Sequence, residues 1–363
     1  MAKKLSSDLT LFTVTVALLG FGLVMVWSAS SALAQERHGS AYFFLVKQAI
    51  WSAIGLLGLV AALKIDYRKL RAPAVVYPVV ILSTLLLIVV LFLKPVNEAH
   101  RWIRLGALSF QPAELAKLAV ILYLAYHIER RAERVNDFLP SLFPALLLIG
   151  WFAFLVYIQP DLGTAATIVI TAGVMLFLAG VRLRYFAALA VPGSALLYQA
   201  VMTVAYRRDR IEVFLNPWSD ARGAGYQIIQ SLIAVGTGGV TGVGLMEGRQ
   251  KLFYLPYPYS DFIFAVIGEE LGLLGALLVL LAFVVLLWRG LRAAWNAPDP
   301  FGMFLAAGLT LSIVIQAFIN ISVVLGLLPT KGIPLPFISA GGSSLVFALF
   351  GVGLVLNVSQ HAD

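Results

Sequence analysis

The chain has 363 residues, of which 61% are hydrophobic and only 12% charged, and its mean hydropathy is +0.93. A soluble domain of that length has no use for so much apolar surface, so a membrane is the expected solvent. The lack of cysteine excludes disulfides, thiolate catalysis and cysteine-based metal sites, four scattered histidines (His38, His100, His127, His361) do not suggest zinc, and a net charge of +8 fits basic loops facing lipid head groups rather than nucleic acid.

A span needs about 20 apolar residues. In chain order the candidates are Leu9–Leu33, Leu45–Leu63, Ala74–Leu93, Pro112–Ile128, Phe138–Ile158, Leu162–Gly180, Tyr185–Ala205, Phe262–Trp288, Phe301–Leu327 and Gly341–Val358. The start, "MAKK", an apolar run and then "SALAQ", has the outline of a signal peptide. The run is long enough to span and many spans follow, so it reads as an uncleaved first helix. The expected fold is all-α: a polytopic integral membrane protein of ten transmembrane helices, one domain over residues 1–363. A long outer loop, about 206–260, separates the seventh and eighth helices.

Basic residues set the orientation. Lys3 and Lys4 precede the first span; Lys64, Arg68, Lys69 and Arg71 follow the second; Arg130, Arg131 and Arg134 follow the fourth; Arg182 and Arg184 follow the sixth; Arg289 and Arg292 follow the eighth. With ten helices all five clusters share one side, which places both termini in the cytoplasm. The other side collects segments rich in Pro, Gly, Trp, Arg and Gln: 94–114, "QPDLGTA" (159–165), the 206–260 loop and 327–344. Polar loops gathered where helices end point to an outward-facing site. The 206–260 segment reads as interfacial helices and turns lying on the outer surface.

Asp261 closes the loop "LPYPYSD" at the mouth of the eighth span. It can cap that helix, and it can act as a general base whose pKa is raised by partial desolvation. On a straight helix Gly268, Gly272 and Gly275 fall below it as a small-residue stripe, which marks close packing. Glu269 and Glu270 lie on other faces of that helix, so it is expected near the centre of the bundle, with the two acids in structural contacts. Glu114 and Lys117, at i and i+3 in the fourth span, read as a structural or cavity-lining pair. Arg101 and Arg104 flank Trp102, as an interfacial belt or as a clamp on a lipid phosphate. Asp161 in "QPD" reads as a helix cap in a turn or as part of the outer site. Lys331, Ser339, Ser343 and Ser344 lie in a Pro/Gly-rich loop entering the last span, where serines can also serve as caps.

The blocks "RWIRLGALSFQPAELAKL", "QPDLGTA", "NPWSDARGAGYQIIQSLIAVGTGG", "RQKLFYLP", "DFIFAVIGEELGLLG" and "LLPTKGIPLPFIS" followed by "GGSS" occur in one order over almost the whole chain. In these the sequence resembles the SEDS family (shape, elongation, division and sporulation) of bacterial membrane proteins, with "RQKLFYLP" and "LLPTKG" closer to its division branch, FtsW, than to its elongation branch, RodA. The resemblance implies a ten-helix peptidoglycan glycosyltransferase of the bacterial cytoplasmic membrane with its active site on the extracytoplasmic face. It implies lipid II as substrate, undecaprenyl pyrophosphate as leaving group, and a class B penicillin-binding protein and other division proteins as partners, beside membrane lipids. It maps the family's essential acid onto Asp261, its paired charges onto Glu114 and Lys117, and its loop lysine onto Lys331. The family's usual Glu, His and Tyr are replaced here by Tyr257, Tyr259 and Ala340, which leaves Asp261 as the clearest base in its loop.

The expected chemistry is proton removal by Asp261 from the GlcNAc 4-hydroxyl as that oxygen attacks C1 of the donor MurNAc. Arg101, Arg104, Arg210 and Lys331 would offset the pyrophosphate charge, with or without a divalent ion such as Mg or Mn; the sequence itself requires no cofactor. Gln111, Glu114, Lys117, Asp161, Ser339 and Ser343 complete the expected substrate contacts. The alternatives are an elongation polymerase of the same family, a lipid-precursor flippase or transporter, and a non-catalytic scaffold.

Overall fold

The computed structural model describes residues 7–94, 100–105 and 108–361; Lys3 and Lys4 of the first basic cluster lie outside them. Each of the ten predicted apolar segments holds one long helix: α1 (Leu9–His38), α2 (Phe43–Lys64), α3 (Pro73–Leu91), α4 (Pro112–Arg131), α5 (Phe143–Ile158), α6 (Leu162–Leu178) and α7 (Leu183–Met202), then α10 (Ile263–Trp295), α11 (Pro300–Val324) and α12 (Ser343–Ser359). Two more helices, α8 (Ala205–Leu215) and α9 (Tyr226–Thr237), occupy the 206–260 segment, and a hairpin, β1 (Ile103–Leu105) with β2 (Leu108–Phe110), precedes α4. Local chemistry sets the helix starts. Asp8, Asp161 and Asp299 accept hydrogen bonds from Leu11, Thr164 and Gly302 at the first turns of α1, α6 and α11, and Pro112 and Pro300 sit where a missing N–H is harmless.

Seven helices among the described residues are long and apolar enough to cross a membrane: α1, α2, α3, α5 with its leading π-turn, α7, α10 and α11. α6 and α12 are apolar but have 17 residues each, and α4 carries Glu114, Lys117 and a basic end. The basic clusters within the described residues converge at one end of the bundle. There Arg289 pairs with Asp8 at 2.6 Å, Arg71 with Glu129 at 3.5 Å, and Arg68 with Asp299 at 3.7 Å.

The helix buried over most of its apolar stretch is α11; α10 is buried throughout Ile263–Glu270, where its two acids sit, but beyond them exposes Leu273, Leu274, Leu277, Leu278 and Leu281, and α7 buries no residue. The two acids of α10 are accommodated by a different device. The helix is interrupted at Gly272 (φ 64°, ψ −162°), and the glycine-rich chain after α9 fills the break. Val243 and Gly244 donate to the freed carbonyls of Glu269 and Glu270, while Leu273 and Leu274 donate to the carbonyls of Gly239 and Val240, all at 2.9–3.1 Å. Apolar surroundings demand such reciprocal pairing of broken-helix groups. Glu269 also accepts from the Arg249 and Gln250 amides, and Glu270 pairs with Lys251 at 2.6 Å and accepts from the Ser28 hydroxyl.

This break corrects one expectation. The Gly268–Gly272–Gly275 stripe is not a continuous face beneath Asp261, which precedes the helix. Gly268 and Gly272 instead admit the 235–242 chain: a Cβ on Gly272 would lie 2.6 Å from the Val240 carbonyl oxygen. α9 lies against the bundle through one face: Ile228, Ile229, Ser231 and Ala234 are buried, and Ser231 donates to the Val324 carbonyl of α11 at 2.8 Å, while Leu232 and Ile233 stay exposed. Gly272→Ala should therefore cost about 1–3 kcal/mol in backbone strain, before any steric term. The check is a lower melting temperature of the purified protein in detergent.

Candidate active site

At the end of the bundle opposite the paired basic clusters, a cavity of about 640 Å³ opens among α4, α6, α8, α11 and the loops before α10 and α12. Its outer part is lined by Arg101, Asp161, Arg210, Asp261 and Lys331, and its floor by Glu114, Lys117, Thr167 and Gln316.

Asp261 does not cap α10; the position before that helix belongs to Phe262, and no side chain caps it. The Asp261 carboxylate instead accepts from the Ser260 hydroxyl at 2.9 Å and lines the cavity. It keeps some accessible surface there, but protein surrounds it. Burial pushes its pKa above the usual carboxylate range, against the opposing pull of Ser260, Arg101 and Arg210. Asp161 both caps α6, accepting from the Thr164 amide and hydroxyl, and faces the cavity within 4.0 Å of Arg101. Arg101 donates to the carbonyls of Gln159 and Pro160, so part of its fork holds the "QPD" turn and the rest borders the cavity. Arg210 of α8 donates to the Thr330 carbonyl at 3.0 Å. Burial drives Lys331 down to about 7, so a bound anion would restore its proton.

On the floor, Lys117 contacts Glu114 at 2.9 Å and donates to Gln316 at 2.6 Å. Gln111 borders the cavity and reaches Asp161 at 3.4 Å. Three predicted contacts fall elsewhere. Arg104 is exposed on β1, outside the lining. The Ser339 hydroxyl, itself buried, accepts from the Leu335 amide and donates to the Ser260 carbonyl, and the Ser343 hydroxyl accepts from the Gln111 amide. These serines join segments of chain. Tyr257, Tyr259 and Ala340 all line the cavity, and Tyr259 stacks on Phe44 with ring centroids 4.4 Å apart. Gln316 and Asn320 of α11 escaped the sequence reading; two amides four residues apart in an apolar helix were the available signal.

Among the described residues no three His, Asp or Glu side chains gather as a metal-ligand set. The arrangement is a desolvated carboxylate beside three cations, at the ends of helices in a membrane-type bundle. That combination is the one a polytopic membrane protein would need to hold an anionic ligand and to abstract a proton.

Comparison with known proteins places the chain within one family. The profile of the FtsW/RodA/SpoVE cell cycle proteins matches residues 9–363, and the chain belongs to that family. A probable peptidoglycan glycosyltransferase FtsW of Geobacter metallireducens is 46% identical over 98% of this chain and 95% of its own length. Stage V sporulation protein E of Bacillus subtilis is 44% identical over 99% of both. Among solved structures, one described as the structural coordination of polymerization and crosslinking by a peptidoglycan synthase complex has a TM-score of 0.80 at 32% identity, covering 98% of each chain. The rod shape determining protein RodA of Thermus thermophilus has a TM-score of 0.71 at 28% identity, covering 98% of this chain and 97% of its own. The chain is accordingly a bacterial membrane protein.

Proposed function

We propose that this protein is a peptidoglycan glycosyltransferase that polymerises lipid II during cell division. In this reading ten helices cross the cytoplasmic membrane as one domain, both termini lie inside, and the cavity opens outside. The single observation that carries the mechanism is the burial of Asp261 in a cavity with Arg101, Arg210 and Lys331. Asp261 takes the proton of the acceptor GlcNAc 4-hydroxyl as its oxygen bonds to C1 of the donor MurNAc. The C1–oxygen bond to phosphate breaks, and undecaprenyl pyrophosphate leaves with the electron pair. The three cations oppose the charge that develops on the pyrophosphate, in a site where water screens little. Holding both lipids in one groove supplies much of the rate. A divalent ion, Mg or Mn, has no assigned ligands in this scheme.

The division branch is favoured because identity to the FtsW and sporulation relatives, 44–46%, exceeds the 28% to RodA. A class B penicillin-binding protein is the partner that crosslinking of the product calls for. The test is the purified full chain in liposomes with lipid II and that partner. Glycan polymer and released undecaprenyl pyrophosphate are expected. Translocation of lipid II without polymer would make the protein a transporter, and neither activity would leave a scaffold.

A further inference from the structure

The last third of α11 carries two buried amides, Gln316 and Asn320, 5% and 1% exposed. At i and i+4 they stand one above the other on the same face. The Asn320 amide nitrogen donates to two carbonyls at once, that of Asp261 at 2.8 Å and that of Ile333 at 2.7 Å. One turn back, Gln316 donates to the Pro334 carbonyl at 2.9 Å and accepts from Lys117 at 2.6 Å. Asn320 makes both contacts through one nitrogen, and its carbonyl oxygen is left buried with no partner. The reverse orientation would set that oxygen against two carbonyl oxygens, so the contacts themselves fix the amide. From the far side, Gly332 closes on the same acid: a Cβ there would lie 2.7 Å from Asp261 Oδ2.

We infer that Gln316 and Asn320 are positioning residues, an amide ladder that fixes Asp261 against the 330–334 loop and ties both to the Glu114–Lys117 pair. The inference rests on the reading of Asp261 as the base. Asn320 touches only the backbone of Asp261 and of the loop and is not part of the cavity lining, so it sets where the carboxylate stands without touching substrate. Its deletion should harm the chemical step more than binding, since misplacing a reacting group by about 1 Å costs on the order of 100-fold. A loosened Asp261 would also be better solvated, and its pKa would fall toward the ordinary carboxylate value.

The experiment measures kcat, KM and the pH profile of lipid II polymerisation for Asn320→Ala, Gly332→Ala and Asp261→Asn in the full chain, with the melting temperature of each. Asn320→Ala is expected to lower kcat about 10–100-fold with KM within about twofold, and to move the acidic limb of the profile to lower pH. Gly332→Ala displaces the same carboxylate from the other side and should also lower kcat with KM held; it supplies the test if Asn320→Ala does not fold. Wild-type kcat in both, or a fall in kcat and melting temperature with an unmoved acidic limb, would overturn the ladder while an inactive Asp261→Asn left the base assignment standing. Normal polymerisation by Asp261→Asn would overturn the base assignment and the ladder with it.

Discussion

Asp261→Asn is expected to lower lipid II polymerisation about 10²–10⁴-fold, the range that a general base contributes, and at the same time to make the protein more heat-stable at pH 7. The second effect follows from burial. The folded carboxyl has a pKa above that of the unfolded chain, which is near 3.9. A carboxyl shifted in this direction favours the fold while it is protonated, below the unfolded value. That contribution is lost as pH rises through the folded pKa. At pH 7 the raised pKa is thus a burden on stability, which a buried base imposes on the fold. Asparagine has the same shape and no charge to desolvate. Melting temperatures in detergent should show a gain for the variant at pH 7 that disappears near pH 4, where the wild-type carboxyl is protonated. A gain that persists unchanged at pH 4 would refute the burial account, and retained polymerisation would refute the base.

The second large effect is structural. Lys251→Met should destabilise the fold by about 3–5 kcal/mol, because the buried Glu270 is then left without its cation. Glu270 is 0% exposed and Lys251 5%, their contact is 2.6 Å, and Lys251 also donates to the Ser28 hydroxyl of α1. The pair fastens the 243–251 chain to the lower edge of the α10 break, so its loss should release the strands of chain that satisfy Glu269 and Leu273. Pairing Lys251→Met with Glu270→Leu should recover most of the loss, since an apolar pair of similar volume needs no desolvation. Unfolding midpoints of both variants in detergent decide the matter: equal loss in single and double variants would show that the ion pair does not carry the stability.

Much was legible before any coordinates. Apolar runs separated by basic clusters mark all ten long helices because each run is longer than a soluble core helix requires. Glu114 and Lys117 stood out because charge in an apolar helix must be answered by a partner. The cavity could be assembled only in part: Arg101, Asp161, Arg210, Asp261 and Lys331 come together from five separate segments. Arg104 looked equivalent to Arg101 and is not: Arg104 lies exposed on β1, whereas Arg101 precedes that strand and is held on the Gln159 and Pro160 carbonyls at the cavity edge.

The sequence by itself determined the solvent, the helices, the end of the bundle that carries the basic residues and the candidate acid, because hydropathy, charge and motif order are local and additive along the chain. Only the tertiary structure decided the break at Gly272, the burial of α11, the structural use of Ser339 and Ser343, and the Gln316–Asn320 ladder. Each of those depends on a hydrogen-bond partner many residues away. A carbonyl freed in one helix is answered by an amide brought up by another segment, and no local pattern records which one arrives.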